Sequence, residues 1–141
     1  MASEFRIVFD TNVAISAVLL PCSIPRQAFD AAAARGQLLV SEETIAELEE
    51  VLRRPKFDKY VREEKRLEFL AALVRDAEVV EVTDVVRECR DPKDDRFLAL
   101  AVSGKASHVV SGDADLLVMH PFREIAIVTP QGFLALARQS K

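Results

Sequence analysis

Short apolar runs of the kind that form buried strands alternate with longer amphipathic segments along nearly the whole chain. The strand-like runs cover residues 6–9, 38–40, 79–82, 108–110 and 125–128. Strands that alternate with helices imply a parallel sheet covered by helices on both faces. Because the strands are few and short, we expect an α/β protein: a three-layer α/β/α sandwich around a short-stranded, mainly parallel sheet.

Helix signals mark the segments between these runs. The predicted helices cover residues 12–20, 25–35, 42–53, 62–76 and 96–103, with a helical turn at 114–119 and a last helix that opens at Pro130. Pro25 suits a first helical position, and Gly36 suits the position just past a helix end. The segment FDTNVAIS after the first strand contains no glycine, which excludes the glycine-rich phosphate loops of Rossmann and P-loop proteins.

Length and composition set the broad class of the protein. The 141 residues, 50% of them hydrophobic and 30% charged, are enough for one domain over residues 1–141. The apolar run at 17–20 is too short for a membrane span, and the start carries no secretion signal. Cys22 and Cys89 lack metal or redox spacing, as is typical of buried thiols in a reduced compartment. We therefore expect a cytoplasmic protein that contacts no membrane.

Acidic residues follow two of the strand-like runs. Asp10 comes directly after the first run, and Asp113 comes a short step into the loop after HVV. The carboxyl ends of parallel strands meet at one edge of the sheet, where α/β proteins place their chemistry. A single Asp at such a position, Asp115 included, also suits a helix cap or a turn. That alternative leaves the repetition of strand followed by acid unexplained.

Further acids extend the candidate set. Asp94 and Asp95 stand just before the helical run RFLALAV. Glu47 flanks the apolar stripe of the third predicted helix and Glu49 flanks its other side, so wheel geometry alone does not choose between them.

Two carboxylates about 5 Å apart repel by about 3 kcal/mol at an effective dielectric constant of 20. Convergence of three or four therefore requires protons or a divalent cation, and ligation by oxygen alone favours Mg²⁺ or Mn²⁺.

Four motifs in a fixed order, VFDTN, AELEEVL, DPKDDRFLALAV and VVSGDADLL, closely resemble those of the PIN-domain family. More narrowly, the chain resembles the VapC-like toxin ribonucleases of prokaryotic toxin–antitoxin pairs. The resemblance extends from Phe5 to about Phe133. It implies a PIN-like nuclease domain that uses Mg²⁺ or Mn²⁺ to hydrolyse RNA phosphodiester bonds. It also implies a homodimer and a cognate antitoxin protein.

The same resemblance assigns roles to individual residues. It implies four catalytic, metal-binding carboxylates, those of Asp10, Glu47, Asp95 and Asp113. Asp94 competes with Asp95 for the third place, and Asp115 assists Asp113. Asn12 resembles the polar residue that the family carries two positions after its first Asp.

Charge is distributed unevenly along this acidic chain. The net charge is −4, yet residues 53–66, RRPKFDKYVREEKR, hold seven basic and three acidic residues. The cations predicted to bind RNA phosphates near the acidic edge are Arg53, Arg54, Lys56 and Lys59. The alternative interpretation is a solvated helical surface with no role in binding.

Two other functions fit parts of the pattern. A phosphatase of the haloacid-dehalogenase type also begins with an apolar strand that ends on Asp. That class resembles D-x-D after the strand, whereas Asn12 is the second residue after Asp10 here. A PIN-like module that binds RNA or protein without cutting also matches, although all four acidic positions are filled. Metal-dependent cleavage of RNA distinguishes the three.

Overall fold

A computed structural model of the protein describes residues 5–139. Within this range the strands are β1 (Phe5–Phe9), β2 (Gly36–Val40), β3 (Glu78–Val79), β4 (His108–Val110) and β5 (Ala126–Val128). They form one parallel sheet in the order β3-β2-β1-β4-β5. The α/β class and the parallel sheet predicted from the alternation of strands and helices are confirmed.

Helices cover both faces of this sheet. They are α1 (Thr11–Leu19), α2 (Ile24–Arg35), α3 (Glu42–Leu52), α4 (Glu63–Asp76), α5 (Asp95–Ser103), α6 (Ala114–Leu117) and α7 (Pro130–Gln139). Successive side chains of a strand point to opposite faces. Ile7 of β1 therefore packs in a core with residues of α1, α2 and α7, whereas Val8 packs in a second core with residues of α5 and α6. None of the described helices has the length and apolar character needed to cross a membrane.

Some elements differ from their predicted bounds. The strand predicted at 79–82 is reduced to Glu78–Val79, because β3 is an outermost strand of the sheet, pairs with β2 alone and has both side chains exposed. The helix predicted from residue 96 starts one residue earlier, after a 3₁₀ turn over Pro92–Asp94. Cys22 is exposed and Cys89 is half-buried, so the expectation of two buried thiols is wrong.

The pairing of β1 with β4 determines where the loops leave the sheet. Phe9 is in register with Val110, and the backbone N–H of Asp10 donates to the carbonyl oxygen of Val110 at 3.0 Å. The two chain segments that follow these strands therefore start side by side at one edge of the sheet.

Candidate functional site

Asp10 lies between the end of β1 and the start of α1, where it caps the helix. Its carboxylate accepts a hydrogen bond from the N–H of Asn12 at 2.9 Å and from the hydroxyl of Ser111 at 2.6 Å. Burial raises the pKa of Asp10, and the hydrogen bonds from Ser111 and Asn12 oppose that rise. The negative charges of Asp113 and Glu47 raise the pKa further, so Asp10 belongs to a group of interacting carboxylates.

The loop after β4 brings a second carboxylate beside the first. Ser111 is fully buried, and its hydroxyl accepts a hydrogen bond from the N–H of Asp113 at 2.9 Å. Asp113 caps α6, since its Oδ1 accepts from the N–H of Asp115 at 2.8 Å. Ser111 thus connects the strand end that carries Asp10 to the loop that carries Asp113.

Asp94 is the third carboxylate at this edge. It ends the 3₁₀ turn and is only 6% exposed. One oxygen each of Asp94, Asp113 and Asp115 lie within 4.8 Å of one another. Burial, with the neighbouring carboxylate of Asp113, raises the pKa of Asp94 to about 7. In the metal-free protein, Asp94 therefore keeps its proton to a higher pH than an ordinary aspartate does.

The donor chemistry of this cluster fits a divalent cation. Oδ2 of Asp94 is buried and has no hydrogen-bond partner within residues 5–139. A buried acceptor without a partner is costly, and a buried charge more so. A bound cation would relieve both the unpaired oxygen and the repulsion among the carboxylates. Clustered carboxylate oxygens are the ligands that Mg²⁺ and Mn²⁺ prefer.

Asp95 points away from the cluster. Its Oδ1 accepts hydrogen bonds from the backbone N–H groups of Glu88 (3.2 Å) and Cys89 (2.9 Å), so it holds the loop that precedes the 3₁₀ turn. Successive residues of a helix point about 100° apart, so Asp94 and Asp95 do not share a direction. The structure thus brings Asp94 to the carboxylate edge, whereas the family resemblance implied Asp95 as the third ligand, with Asp94 as its competitor.

Glu47 reaches the same edge from α3. Its Oε1 accepts from the hydroxyl of Thr11 at 2.5 Å, and its Oε2 pairs with the guanidinium of Arg96 at 2.9 Å. Glu49 is instead paired with Arg53 at 3.0 Å on the exposed side of the helix. Of the two glutamates that the helical wheel left open, the one at the carboxylate edge is therefore Glu47.

An open cleft of about 260 Å³ unites these side chains. Its lining includes four of the acids, Asp10, Glu47, Asp94 and Asp113. Asn12 lines it too, as do the cations Arg54 and Lys93. The cleft therefore combines carboxylates that suit a metal ion with cations that suit a phosphate group.

The four cations predicted to bind RNA differ in their surroundings. Arg54 lines the cleft and forms one salt bridge, with Glu50 at 3.6 Å, whereas Arg53 is held in salt bridges by one glutamate of α3 and one of α4. Lys56 and Lys59 are exposed, and each ammonium lies over a neighbouring aromatic ring. All of these cations except Arg53 can therefore bind a polyanion without the prior loss of two salt bridges.

Arg66, counted among the surface charges of this stretch, is fully buried. Its guanidinium donates to the carbonyl oxygens of Leu52 (2.6 Å) and Val61 and pairs with Asp58 at 3.0 Å. Arg66 therefore holds the chain between α3 and α4, where the exposed cations lie.

Ser111 and Arg96 belong to the site but were not predicted from the sequence. Ser111 stands within VVSGD, a pattern that indicates a turn, and Arg96 stands on a helix start, where a solvated side chain is common. One sequence feature could have indicated both residues, because each lies within two residues of a candidate Asp.

Comparisons with known proteins agree with this fold. A family model described as PIN domain matches residues 6–115. The uncharacterized protein MJ1680 of Methanocaldococcus jannaschii is 32% identical over 124 residues, which cover 81% of this chain and 74% of that protein.

Two solved structures resemble the chain in fold. The structure of PAE2754 from Pyrobaculum aerophilum superposes with a TM-score of 0.66 at 17% identity, over 96% of this chain and 90% of that one. VapBC2 from Rickettsia felis, bound to a DNA fragment from its promoter, gives a TM-score of 0.58 at 11% identity, over 86% of this chain and 96% of that one.

Proposed function

Because the chain belongs to the PIN-domain family, whose members are generally nucleases, we propose that it is a divalent-metal-dependent ribonuclease. The observation that carries the proposal is the convergence of Asp10, Asp94 and Asp113 at one sheet edge. Within that group a buried oxygen of Asp94 has no hydrogen-bond partner among the described residues. Such an arrangement is unfavourable without a cation and favourable with one.

Asp10, Asp94 and Asp113 would hold Mg²⁺ or Mn²⁺, with Asp115 in the same cluster and Glu47 in the same cleft. These residues would thereby supply the chemistry of a bound divalent cation, which would lower the pKa of a water molecule and neutralise charge on the phosphate under attack. The protein's own contribution is to fix the carboxylates before the cation arrives. Hydrogen bonds from buried or half-buried side chains serve this purpose at Asp10 and Glu47.

The cations around the cleft would bind the substrate. A chain with a net charge of −4 needs local positive charge to bring a polyanion next to its carboxylates. Arg54 and Lys93 line the cleft, and we propose that they contact phosphates beside the scissile bond. Lys56 and Lys59 would extend the contact along the RNA.

We also propose that the chain is the toxin of a toxin–antitoxin pair and forms a homodimer. The sequence motifs and the fold likeness to VapBC2 support a role of this kind. Sedimentation equilibrium of the purified chain tests the dimer, and relief of growth arrest on co-expression of a candidate antitoxin tests the pairing.

The nuclease proposal is tested with a labelled single-stranded RNA, purified protein, and either Mn²⁺, Mg²⁺ or a chelator. We expect cleavage with metal and none with chelator. Asp10→Asn should lower the rate by about a hundredfold or more, because it removes a metal ligand. Asp30→Asn, at an exposed acid on α2, is the matched control and should retain the rate. Full activity of Asp10→Asn contradicts the proposal, and RNA binding without cleavage by the wild type favours the non-cutting alternative.

A further inference from the structure

One guanidinium group connects two segments that carry candidate metal ligands. Arg96 is the second residue of α5, and its Nε donates to the carbonyl oxygen of Lys93 at 3.0 Å. Its Nη1 lies 2.9 Å from Oε2 of Glu47. Lys93 belongs to the 3₁₀ turn that ends at Asp94, and Glu47 belongs to α3. Arg96 therefore ties the turn that carries Asp94 to the helix that carries Glu47.

This pair is more shielded than the surface ion pairs of the protein. The side chains of Arg96 and Glu47 are 23% and 26% exposed, whereas those of Arg53 and Glu49 are 52% and 46% exposed. Exposed pairs hold their geometry weakly because water screens the charges and both side chains keep rotating. Arg96 is instead fixed at two points, and the second oxygen of Glu47 is fixed by Thr11. These bonds leave Glu47 little freedom to leave the cleft.

We propose that Arg96 is a positioning residue, which holds Glu47 and the Asp94 turn in the arrangement that binds a divalent cation. The inference rests on the metal site of the proposed function. The planar guanidinium donates in two directions at once, which the single ammonium of lysine does not reproduce in the same geometry. Groups that orient metal ligands typically change metal affinity by about 10–100-fold when removed.

The direction in which Mn²⁺ affinity changes when Arg96 is replaced distinguishes a positioning role from simple charge balance. Electrostatics alone predicts tighter cation binding when Arg96 is neutralised, because one positive charge is removed from the cleft. Positioning predicts weaker binding despite the removal of that charge. Lys93 supplies the matched control, since this cation lines the same cleft while its carbonyl oxygen, which remains in Lys93→Met, is the group that Arg96 contacts.

The experiment measures Mn²⁺ affinity of the full chain by titration calorimetry, with circular dichroism as the check of folding. We expect Arg96→Met to bind Mn²⁺ about tenfold or more weakly, and Lys93→Met to bind it as tightly as the wild type or more so. Arg96→Lys should fall between Arg96→Met and wild type. Because lysine keeps the charge, this variant also decides the question if Arg96→Met does not fold.

Three results overturn the inference. Unchanged or tighter Mn²⁺ binding by Arg96→Met shows that the residue only balances charge. If Arg96→Lys binds Mn²⁺ as tightly as the wild type, a guanidinium that contacts both Glu47 and the carbonyl oxygen of Lys93 is not needed. Absence of Mn²⁺ binding by the wild-type protein removes the metal site itself, and so overturns the proposed function together with this inference.

Discussion

The hydroxyl of Ser111 donates a hydrogen bond of 2.6 Å to Oδ2 of Asp10, although 101 residues separate the two in the chain. Both side chains are buried at the ends of the neighbouring strands β4 and β1. The same hydroxyl accepts from the N–H of Asp113 at 2.9 Å. One serine therefore fixes the relative position of two candidate metal ligands.

We expect Ser111→Ala to weaken both the fold and the metal site. Removal of the hydroxyl leaves a buried oxygen of Asp10 without its donor, which costs about 1–3 kcal/mol of unfolding free energy. The pKa of Asp10 should rise further, because this hydrogen bond lowers it. Mn²⁺ then competes with a more tightly bound proton. Urea unfolding measures the first effect, and Mn²⁺ titration at several pH values measures the second.

Ser103→Ala is the control for removal of a serine hydroxyl. Ser103 lies at the far end of α5 and contacts an exposed loop at Thr83 and Asp84. Its replacement should leave Mn²⁺ affinity unchanged. Equal Mn²⁺ affinity of Ser111→Ala and the wild type at every pH would show that Ser111 does not support the metal site.

The raised pKa of Asp94 predicts a pH-dependent stability of the metal-free protein. In the folded state Asp94 titrates near 7, whereas its ordinary value is 3.8. Between these values the folded state holds more protons than the unfolded state, so the unfolding free energy falls as pH rises. The decrease is complete above pH 7 and amounts to at most about 4 kcal/mol. His108, whose pKa burial lowers from the ordinary 6.5, contributes a slope of the opposite sign just below pH 6.5.

Comparison of the wild type with Asp94→Asn isolates the contribution of Asp94. Urea unfolding in chelator gives the unfolding free energy of each protein. The value for Asp94→Asn minus that for the wild type should be larger at pH 8 than at pH 5. Saturating Mn²⁺ should remove the falling slope of the wild type, because the cation displaces the proton. A stability difference between the two proteins that is the same at both pH values would contradict the raised pKa.

Part of this site could be predicted from the sequence because it follows from local pattern. Apolar runs end just before Asp10 and close to Asp113, and parallel strands bring such ends together. Asp94 and Asp95 have the same local pattern, so the sequence did not separate them. The direction of each depends on the 3₁₀ turn, which the side chain of Asp91 caps at the N–H of Lys93. It also depends on the loop that Asp95 holds.

Other features depend on partners distant in the chain. Ser111 acts on Asp10 and Arg96 acts on Glu47, and a single sequence does not show such pairs. Arg66 was counted with the surface cations because its neighbours are charged, yet it is buried against backbone carbonyl oxygens. The strand order was likewise open, since alternation predicts a parallel sheet without saying which strands are neighbours.

The exposed cations between α3 and α4 should control RNA affinity. Replacement of Arg54, Lys56 and Lys59 by Gln should weaken binding of single-stranded RNA in chelator. It should also flatten the plot of log affinity against log salt by about 0.7 for each phosphate that the variant no longer binds. Mn²⁺ affinity should not fall, because no proposed ligand is changed. Fluorescence anisotropy at several salt concentrations measures the slope.

A second triple variant, with Arg75, Lys105 and Arg138 replaced by Gln, removes the same charge from exposed positions outside the cleft and outside residues 53–66. It should retain most of the wild-type salt slope. If both triple variants keep the wild-type slope, the stretch is ordinary surface and RNA binds elsewhere.

The central claim is tested most directly by the rate of Mn²⁺-dependent RNA cleavage in Asp94→Asn and Asp95→Asn, measured side by side. Each variant removes one negative charge from adjacent residues at the start of α5. We expect Asp94→Asn to reduce the rate by about a hundredfold or more, because it removes a metal ligand. Asp95→Asn should keep most of the rate and reduce stability by about 1–3 kcal/mol, because Asp95 only holds the loop at Glu88 and Cys89. Retained cleavage by Asp94→Asn, together with abolished cleavage in a folded Asp95→Asn, would contradict the site described here.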